Sequence, residues 1–281
     1  MKEKNVKILF VSQEIFPYLP ESEISKIGRF LPQGIQEKGR EIRTFMPRYG
    51  CVNERRNQLH EVIRLSGMNL VINDTDHPLI IKVSSIQSAR MQVYFIDNED
   101  YFHRKFTLAN ENGEFFSDND ERAIFFGKGV LETVKKLRWS PNLIHCHGWI
   151  TAFIPLLIKK AYADDPLFAK SKIVYSLYND DFPNPFNPDA RKKILMEGIS
   201  KKDVEIIREP TFENLSKLAI NFSDGVIVSS PRVNNQLIEY INSVKKPLLP
   251  YQDNENYIDI YDQFYTDILN DDSHVSNKKK K

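Results

Sequence analysis

The sequence predicts an α/β domain with a mostly parallel sheet. Short apolar runs alternate along the chain with longer segments of helical periodicity. The opening reads strand, helix, strand, which is the unit that builds parallel sheets. With 281 residues, 41% of them hydrophobic and 27% charged, the chain can fill one large core or two small ones.

Val6 to Ser12 is a buried first strand. Tyr18 to Ser25 is a polar loop or helix start. Ile24, Ile27, Phe30, Leu31 and Ile35 then recur at helical spacing, and Gly39 is a helix stop. Glu41 to Met46 is the second strand, closed by Pro47. Val62 to Val71 and Ile80 to Val83 read as strands of a hairpin-like insertion or of the main sheet, and Gln92 to Ile96 as a clearer strand. An aromatic, polar loop from Tyr101 to Ser117 precedes a helix from Asp120 to Leu137. Leu143 to Cys146 is a strand, Ile150 to Ala163 a helix, and Lys172 to Leu177 a strand. Asn179 to Pro188 holds three prolines and is irregular. The region to Arg208 reads as helical with a weak pattern. Phe212 to Phe222 is a helix, Gly225 to Ser229 the last core strand, and a short helix follows Pro231 to Ile241. Tyr257, Tyr261, Phe264 and Tyr265 can dock a terminal helix, and Asp271 to Lys281 is expected to fray.

Composition narrows the function classes. Lys+Arg of 39 against Asp+Glu of 38 gives no general nucleic-acid surface. No stretch is long and apolar enough for a membrane span or a signal peptide. Cys51 and Cys146 make no disulfide framework, and a reduced, cytoplasmic setting is expected. GxGxxG, P-loop and HExxH patterns are lacking, and Ser229-Ser230-Pro231 is not a nucleophile elbow.

Ligands of parallel sheets bind beyond the C-terminal strand ends. Ser12 to Glu23, His145 to Trp149 and Leu177 to Phe186 all fall at such ends and are expected to converge. His145 and His147 face one side of a strand, but no third metal ligand is near, so no metal is expected. His147 is placed either as a hydrogen-bond donor to a ligand or as a satisfied structural histidine. Asp118, Asp120 and Glu121 are first of all helix-start residues. Arg43, Arg48 and Arg122 can take an anion or a sugar, or be solvated. Tyr94, Tyr101, Phe102, Phe116 and Trp149 can stack on sugar rings or fill the core.

VKILFVSQEIFPY, FLPQGIQEKGREIRTFMPRYG, VYFIDNEDYFHR, ENGEFFSDNDERAIFF, PNLIHCHGWITAFIP and ENLSKLAINFSDGVIVSSP follow one another in order. Together, over roughly residues 5 to 240, the chain resembles the N-terminal half of bacterial glycogen synthases and plant-type starch synthases. The resemblance implies a Rossmann-like lobe of the two-lobed GT-B glycosyltransferase architecture. It implies an activity that moves glucose from ADP-glucose or UDP-glucose to an α-1,4-glucan, with no cofactor. In that family the N-terminal lobe serves mainly the acceptor and the C-terminal lobe mainly the nucleotide sugar. The resemblance marks His147 as the candidate catalytic residue and Asp118, Asn119, Arg122, Trp149, Tyr178 and Asn179 as candidate substrate contacts.

The chain departs from the family pattern at chemically meaningful places. The family's Lys-x-Gly-Gly-Leu loop falls on Pro20, Glu21, Ser22, Glu23 and Ile24. A diphosphate loses a positive charge at Pro20, loses close backbone approach at Ser22, and meets repulsion at Glu23. The acidic residue of the following helix falls on Lys26. The family's His-Asp-Trp becomes His147-Gly148-Trp149, and its Ile-His-Asn becomes Leu177-Tyr178-Asn179. The expected organisation is a synthase-like domain over 1–245 and a C-terminal extension over 246–281 with a partly disordered basic end. The chain is expected to stop where a donor lobe would begin and to be inactive alone. The alternative is a non-catalytic glucan-binding or regulatory protein. Expected partners are α-glucan and either a separate C-terminal GT-B lobe or a complete glycogen synthase, with no nucleic acid and no membrane.

Overall fold

A computed structural model describes residues 6–253 and 255–271. Its strands are β1 (Lys7–Ser12), β2 (Glu41–Pro47), β3 (His60–Glu61), β4 (Met68–Ile72), β5 (Thr75–Ile86), β6 (Met91–Asp97), β7 (Leu143–His147), β8 (Lys172–Leu177), β9 (Gly225–Val228) and β10 (Leu248–Leu249). Its helices are α1 (Glu23–Glu37), α2 (Glu99–Phe102), α3 (Asn119–Lys136), α4 (Phe153–Lys159), α5 (Ala190–Lys193), α6 (Phe212–Phe222), α7 (Asn235–Ser243) and α8 (Tyr257–Asn270).

The sheet runs β10-β9-β8-β7-β1-β2-β6-β5-β3, with β4 pairing β5. Every neighbouring pair from β10 to β6 is parallel. The β3, β4 and β5 strands are antiparallel additions at the far edge. The expected α/β parallel-sheet architecture is therefore the observed one. After β1 the chain first builds outward through β2 and then returns to place β7 on the other side of β1. That reversal leaves a crevice beyond the C-terminal ends of β1 and β7, where parallel sheets bind ligands.

Side chains alternate across β1, and each face finds its own cover. Leu9 and Val11 belong to the larger core with α3, α4 and α6. Ile8 and Phe10 face the other way, onto Leu31 and Ile35 of α1 and onto Tyr261, Tyr265 and Ile268 of α8. The expected docking of a terminal helix through its tyrosines is thus observed, and α8 covers half of this second face. Burying Ile268 contributes roughly 1.5–3 kcal/mol. Gly225 permits the approach, since a Cβ there would lie 2.8 Å from the Ile268 Cδ1. The extension over 246–281 accordingly supplies an edge strand and a core helix to the same sheet as far as residue 271. The basic end beyond it lies outside the described residues.

Two local expectations are corrected. Residues 62–66 form a turn, not a strand, because the Val62 carbonyl accepts from the Leu65 and Ser66 amides. The region before Arg208 holds only α5 and a 3-10 turn at Glu205–Ile207. Gly225–Val228 is the last buried strand, as expected of the last core strand, and the half-buried β10 adds a two-residue edge beyond it.

Candidate functional site

The crevice is lined by the three segments that the sequence placed at strand ends, and hydrogen bonds from backbone amides tie them together. The Gln13 amide donates to the His147 carbonyl at 3.0 Å, and the Gln13 Oε1 accepts from the Ile150 amide at 3.3 Å. Gly148 makes this arrangement possible. Its φ of +82° is left-handed, and a Cβ there would lie 2.9 Å from the Gln13 Oε1. The Gln13 amide thus lies against the Cβ position that a carboxylate-bearing residue would need.

His147 is 0% exposed, and its Nδ1 pairs with the Tyr178 hydroxyl at 2.8 Å. Burial pushes its imidazole down to about 3, so it is neutral, and its Nε2 has no partner among the described residues. Burial also holds the Tyr178 phenol well above its ordinary range. His145 lies 3.7 Å away, ring centre to ring centre. Its Nδ1 meets the Tyr265 hydroxyl of α8 at 2.6 Å and its Nε2 the Ser176 Oγ at 2.7 Å. Ser229 joins the chain, 3.0 Å from the Ser176 Oγ and 3.2 Å from the Tyr261 hydroxyl. No group of three His, Cys, Asp or Glu among the described residues is arranged to hold a metal.

The loop ahead of α1 is a closed capping structure. Ser22 is the N-cap, and its Oγ accepts from the Ser25 amide at 3.0 Å, while the Ser25 Oγ accepts from the Ser22 amide at 2.8 Å. The Ser25 hydroxyl also donates to the Pro20 carbonyl at 2.9 Å. Glu23 accepts from the Ser230 hydroxyl, and the Asn179 amide donates to the same Ser230 Oγ at 3.0 Å. Glu21 is paired with Lys26 at 2.8 Å. The Ser22 hydroxyl donates to Glu14 at 2.5 Å, and burial raises the pKa of that Glu14 carboxyl despite the bond. Three carboxylates therefore surround the start of α1, and the Ser22 and Ser25 amides there are engaged by each other's hydroxyls.

Two carboxyl groups at the crevice escaped the sequence reading: Glu14 and Asp180. Asp180 accepts the Trp149 amide proton at 3.2 Å. Desolvation pushes its carboxyl up to about 7, against the Trp149 bond and with help from Asp181. The acidic pair that follows Asn179 was the available signal.

Trp149 is buried among Phe115, Phe182 and Phe186, with ring centres 5.3–5.5 Å away. Asn179 is exposed and joins the crevice through its backbone. Asp118, Asn119 and Arg122 form a separate brace for the loop between α2 and α3. Asp118 is ion-paired with Arg104. Arg122 is enclosed, donating to the Tyr101 and Thr107 carbonyls at 2.7 Å each and to the Asn119 side chain. Burial lowers its guanidinium to about 10. Of the aromatics considered for sugar stacking, Tyr94, Tyr101, Phe102 and Trp149 are core residues, and Phe116 lies under Arg104 and Arg122.

A family model described as the starch synthase catalytic domain matches residues 7–244. A glycogen synthase of Chlorobium limicola is 39% identical over 180 residues, covering 64% of this chain and 37% of that protein. One of Chlorobaculum tepidum is 35% identical over 244 residues, covering 85% of this chain and 49% of that protein. The chain thus spans about half the length of the curated relatives it matches or less. The catalytic domain of starch synthase IV from Arabidopsis thaliana, solved with ADP and acarbose, superposes with a TM-score of 0.70 at 18% identity. That match covers 88% of this chain and 51% of that one, and it shows a shared fold. With its strand order, its crevice and a family match over most of its length, the chain belongs to the starch synthase catalytic domain family.

Proposed function

We propose that this chain is an acceptor-side lobe of a glycogen or starch synthase that no longer handles a nucleotide-sugar donor, and that it catalyses no glucosyl transfer by itself. The observation that carries the reading is the start of α1, closed by a capping box and ringed by carboxylates. A helix N-terminus attracts phosphate through unpaired amides and a positive dipole. Here the Ser22 and Ser25 hydroxyls occupy each other's amides. Glu14, Glu21 and Glu23 supply negative charge where a diphosphate needs the opposite. The enclosure of His147 at 0% exposure supports the same conclusion, because no reacting atom reaches its ring.

One observation favours a glucan-binding role as the second reading. A cavity of about 330 Å³ beside Glu23 is lined by Tyr251, Tyr257 and Tyr261 together with Lys26 and Ser229. Aromatic faces flanked by hydrogen-bonding groups suit sugar rings. The similar starch synthase IV domain was solved with acarbose, which agrees with a saccharide as ligand. A complete glycogen synthase, or a separate lobe that binds the donor, is the corresponding protein partner. The purified chain is expected to transfer no glucose from ADP-glucose or UDP-glucose to glycogen, while being retained by glycogen in affinity electrophoresis. Loss of retention in Tyr251→Ala would assign the cavity. Turnover above a mock-purified control would contradict the first reading, and free migration through glycogen the second.

A further inference from the structure

Of the three arginines that the sequence offers to an anion, two are committed. Arg48 pairs with Glu54, and Arg122 is spent on backbone carbonyls. Arg43 is not. It lies at the edge of the sheet opposite the crevice, where the ends of α1, β2 and β6 enclose a cavity of about 420 Å³. Arg40, Arg43 and Arg90 line this cavity with Gln36, Gln92 and Tyr94.

The charges on its wall can be sorted by partner. Arg40 is held by Asp262 of α8, with N–O distances of 3.0 and 3.3 Å. Glu41, also on the wall, accepts the Trp139 indole proton and lies 4.0 Å from the Lys7 Nζ. Arg43 and Arg90 form no ion pair among the described residues. The Arg43 guanidinium is nonetheless fixed. It lies 5.2 Å from the Trp139 ring centre and 5.8 Å from that of Tyr94, and donates to the Tyr94 hydroxyl at 2.7 Å. Its Nε is buried with no acceptor among the described residues. A buried guanidinium N–H without an acceptor is costly, and an incoming oxyanion would remove that cost. Arg90 is exposed at the mouth, on a turn residue with φ of +50°.

We propose that this cavity binds a small phosphate monoester carrying hydroxyl groups. A planar guanidinium presents paired donors that match phosphate oxygens, and two of them match a dianion. The Gln36 and Gln92 amides both donate and accept, which suits hydroxyls on the ester's carbon body. The cavity is in the size range of small-molecule sites. It lies at the opposite edge of the sheet from the α1 loop and His147, so it is a binding site separate from the crevice.

Calorimetry on the full chain tests the site, with inorganic phosphate, glycerol 3-phosphate and a hexose 6-phosphate as probes. Chloride at matched ionic strength and the unphosphorylated hexose are the controls. Saturable one-to-one binding of a phosphate monoester is expected, weakened at least tenfold in Arg90→Gln. That variant alters an exposed side chain, and an unchanged melting temperature without ligand verifies its fold. Arg43→Gln is expected to lose the same binding. Heats matched by chloride, or undiminished affinity in Arg90→Gln, would overturn the proposal, whatever the outcome with glycogen or ADP-glucose.

Discussion

Position 23 places a carboxylate in the first turn of α1, where the helix dipole favours it. Replacing the loop by the family's pattern, Pro20→Lys with Ser22→Gly and Glu23→Gly, is expected to raise ADP affinity at least tenfold by calorimetry. The same change removes the Ser22 cap, at about 0.5–2 kcal/mol of stability. Gly148 has a different constraint. Gly148→Asp would restore the family's carboxylate on paper, but its φ of +82° and the Gln13 side chain both oppose it. A loss of about 1–3 kcal/mol in urea unfolding is expected. Asp180 sets a pH dependence. Its folded pKa, about 7, lies above that of an unfolded aspartate. The folded state then binds the extra proton, so this group's contribution to stability is present at low pH and lost as pH rises through about 7. Asp180→Asn keeps an acceptor for the Trp149 amide and removes the charge. It is expected to stabilise the protein by about 1–2 kcal/mol at alkaline pH, discounted for the half-buried site, with the gain shrinking below about pH 7 and gone only near the ordinary aspartate pKa of about 4. Comparing variant and parent at each pH cancels the opposite trend of His145 and His147, which burial keeps neutral. The sequence made the altered loop and Gly148 visible because both are changes of residue type at fixed spacing. It hid Glu14 and Asp180, whose roles depend on which carboxyl the fold desolvates.

Among the elements, α8 does the most for its length. The Tyr265 hydroxyl reaches His145, Tyr261 reaches Ser229, and Arg40 holds Asp262. Tyr265→Phe would leave the buried His145 Nδ1 without its partner. A loss of about 1–3 kcal/mol in urea denaturation is expected, with the secondary structure unchanged by circular dichroism. The elements that read well from the sequence were those with an unambiguous pattern. Lys172–Leu177 and Phe212–Phe222 match the structure residue for residue. The aromatic spacing of α8 announced a docked helix, but not its polar partners, His145 in β7, Ser229 after β9 and Arg40 ahead of β2. The segment before Arg208 read as helix for want of an alternative. Lacking a sustained apolar stripe, it forms only α5 and one 3-10 turn. β10 escaped notice because it is two residues long and flanked by Pro247 and Pro250.

At the scale of the molecule, the two edges of the sheet differ in chemistry. At the C-terminal edge, the crevice between β1 and β7 is closed by Gln13, Gly148 and the capped start of α1. At the N-terminal edge, Arg43 and Arg90 face a cavity without ion-pair partners among the described residues. The family fold is retained, and under the proposed reading internal hydrogen bonds and carboxylates stand where the family's donor loop would act. The expected consequence is a lobe that keeps contact with saccharide and has no affinity for the nucleotide. Calorimetric titration of ADP-glucose into the purified chain tests this most directly. No saturable heat at millimolar ligand is the predicted result, and a micromolar dissociation constant would contradict it.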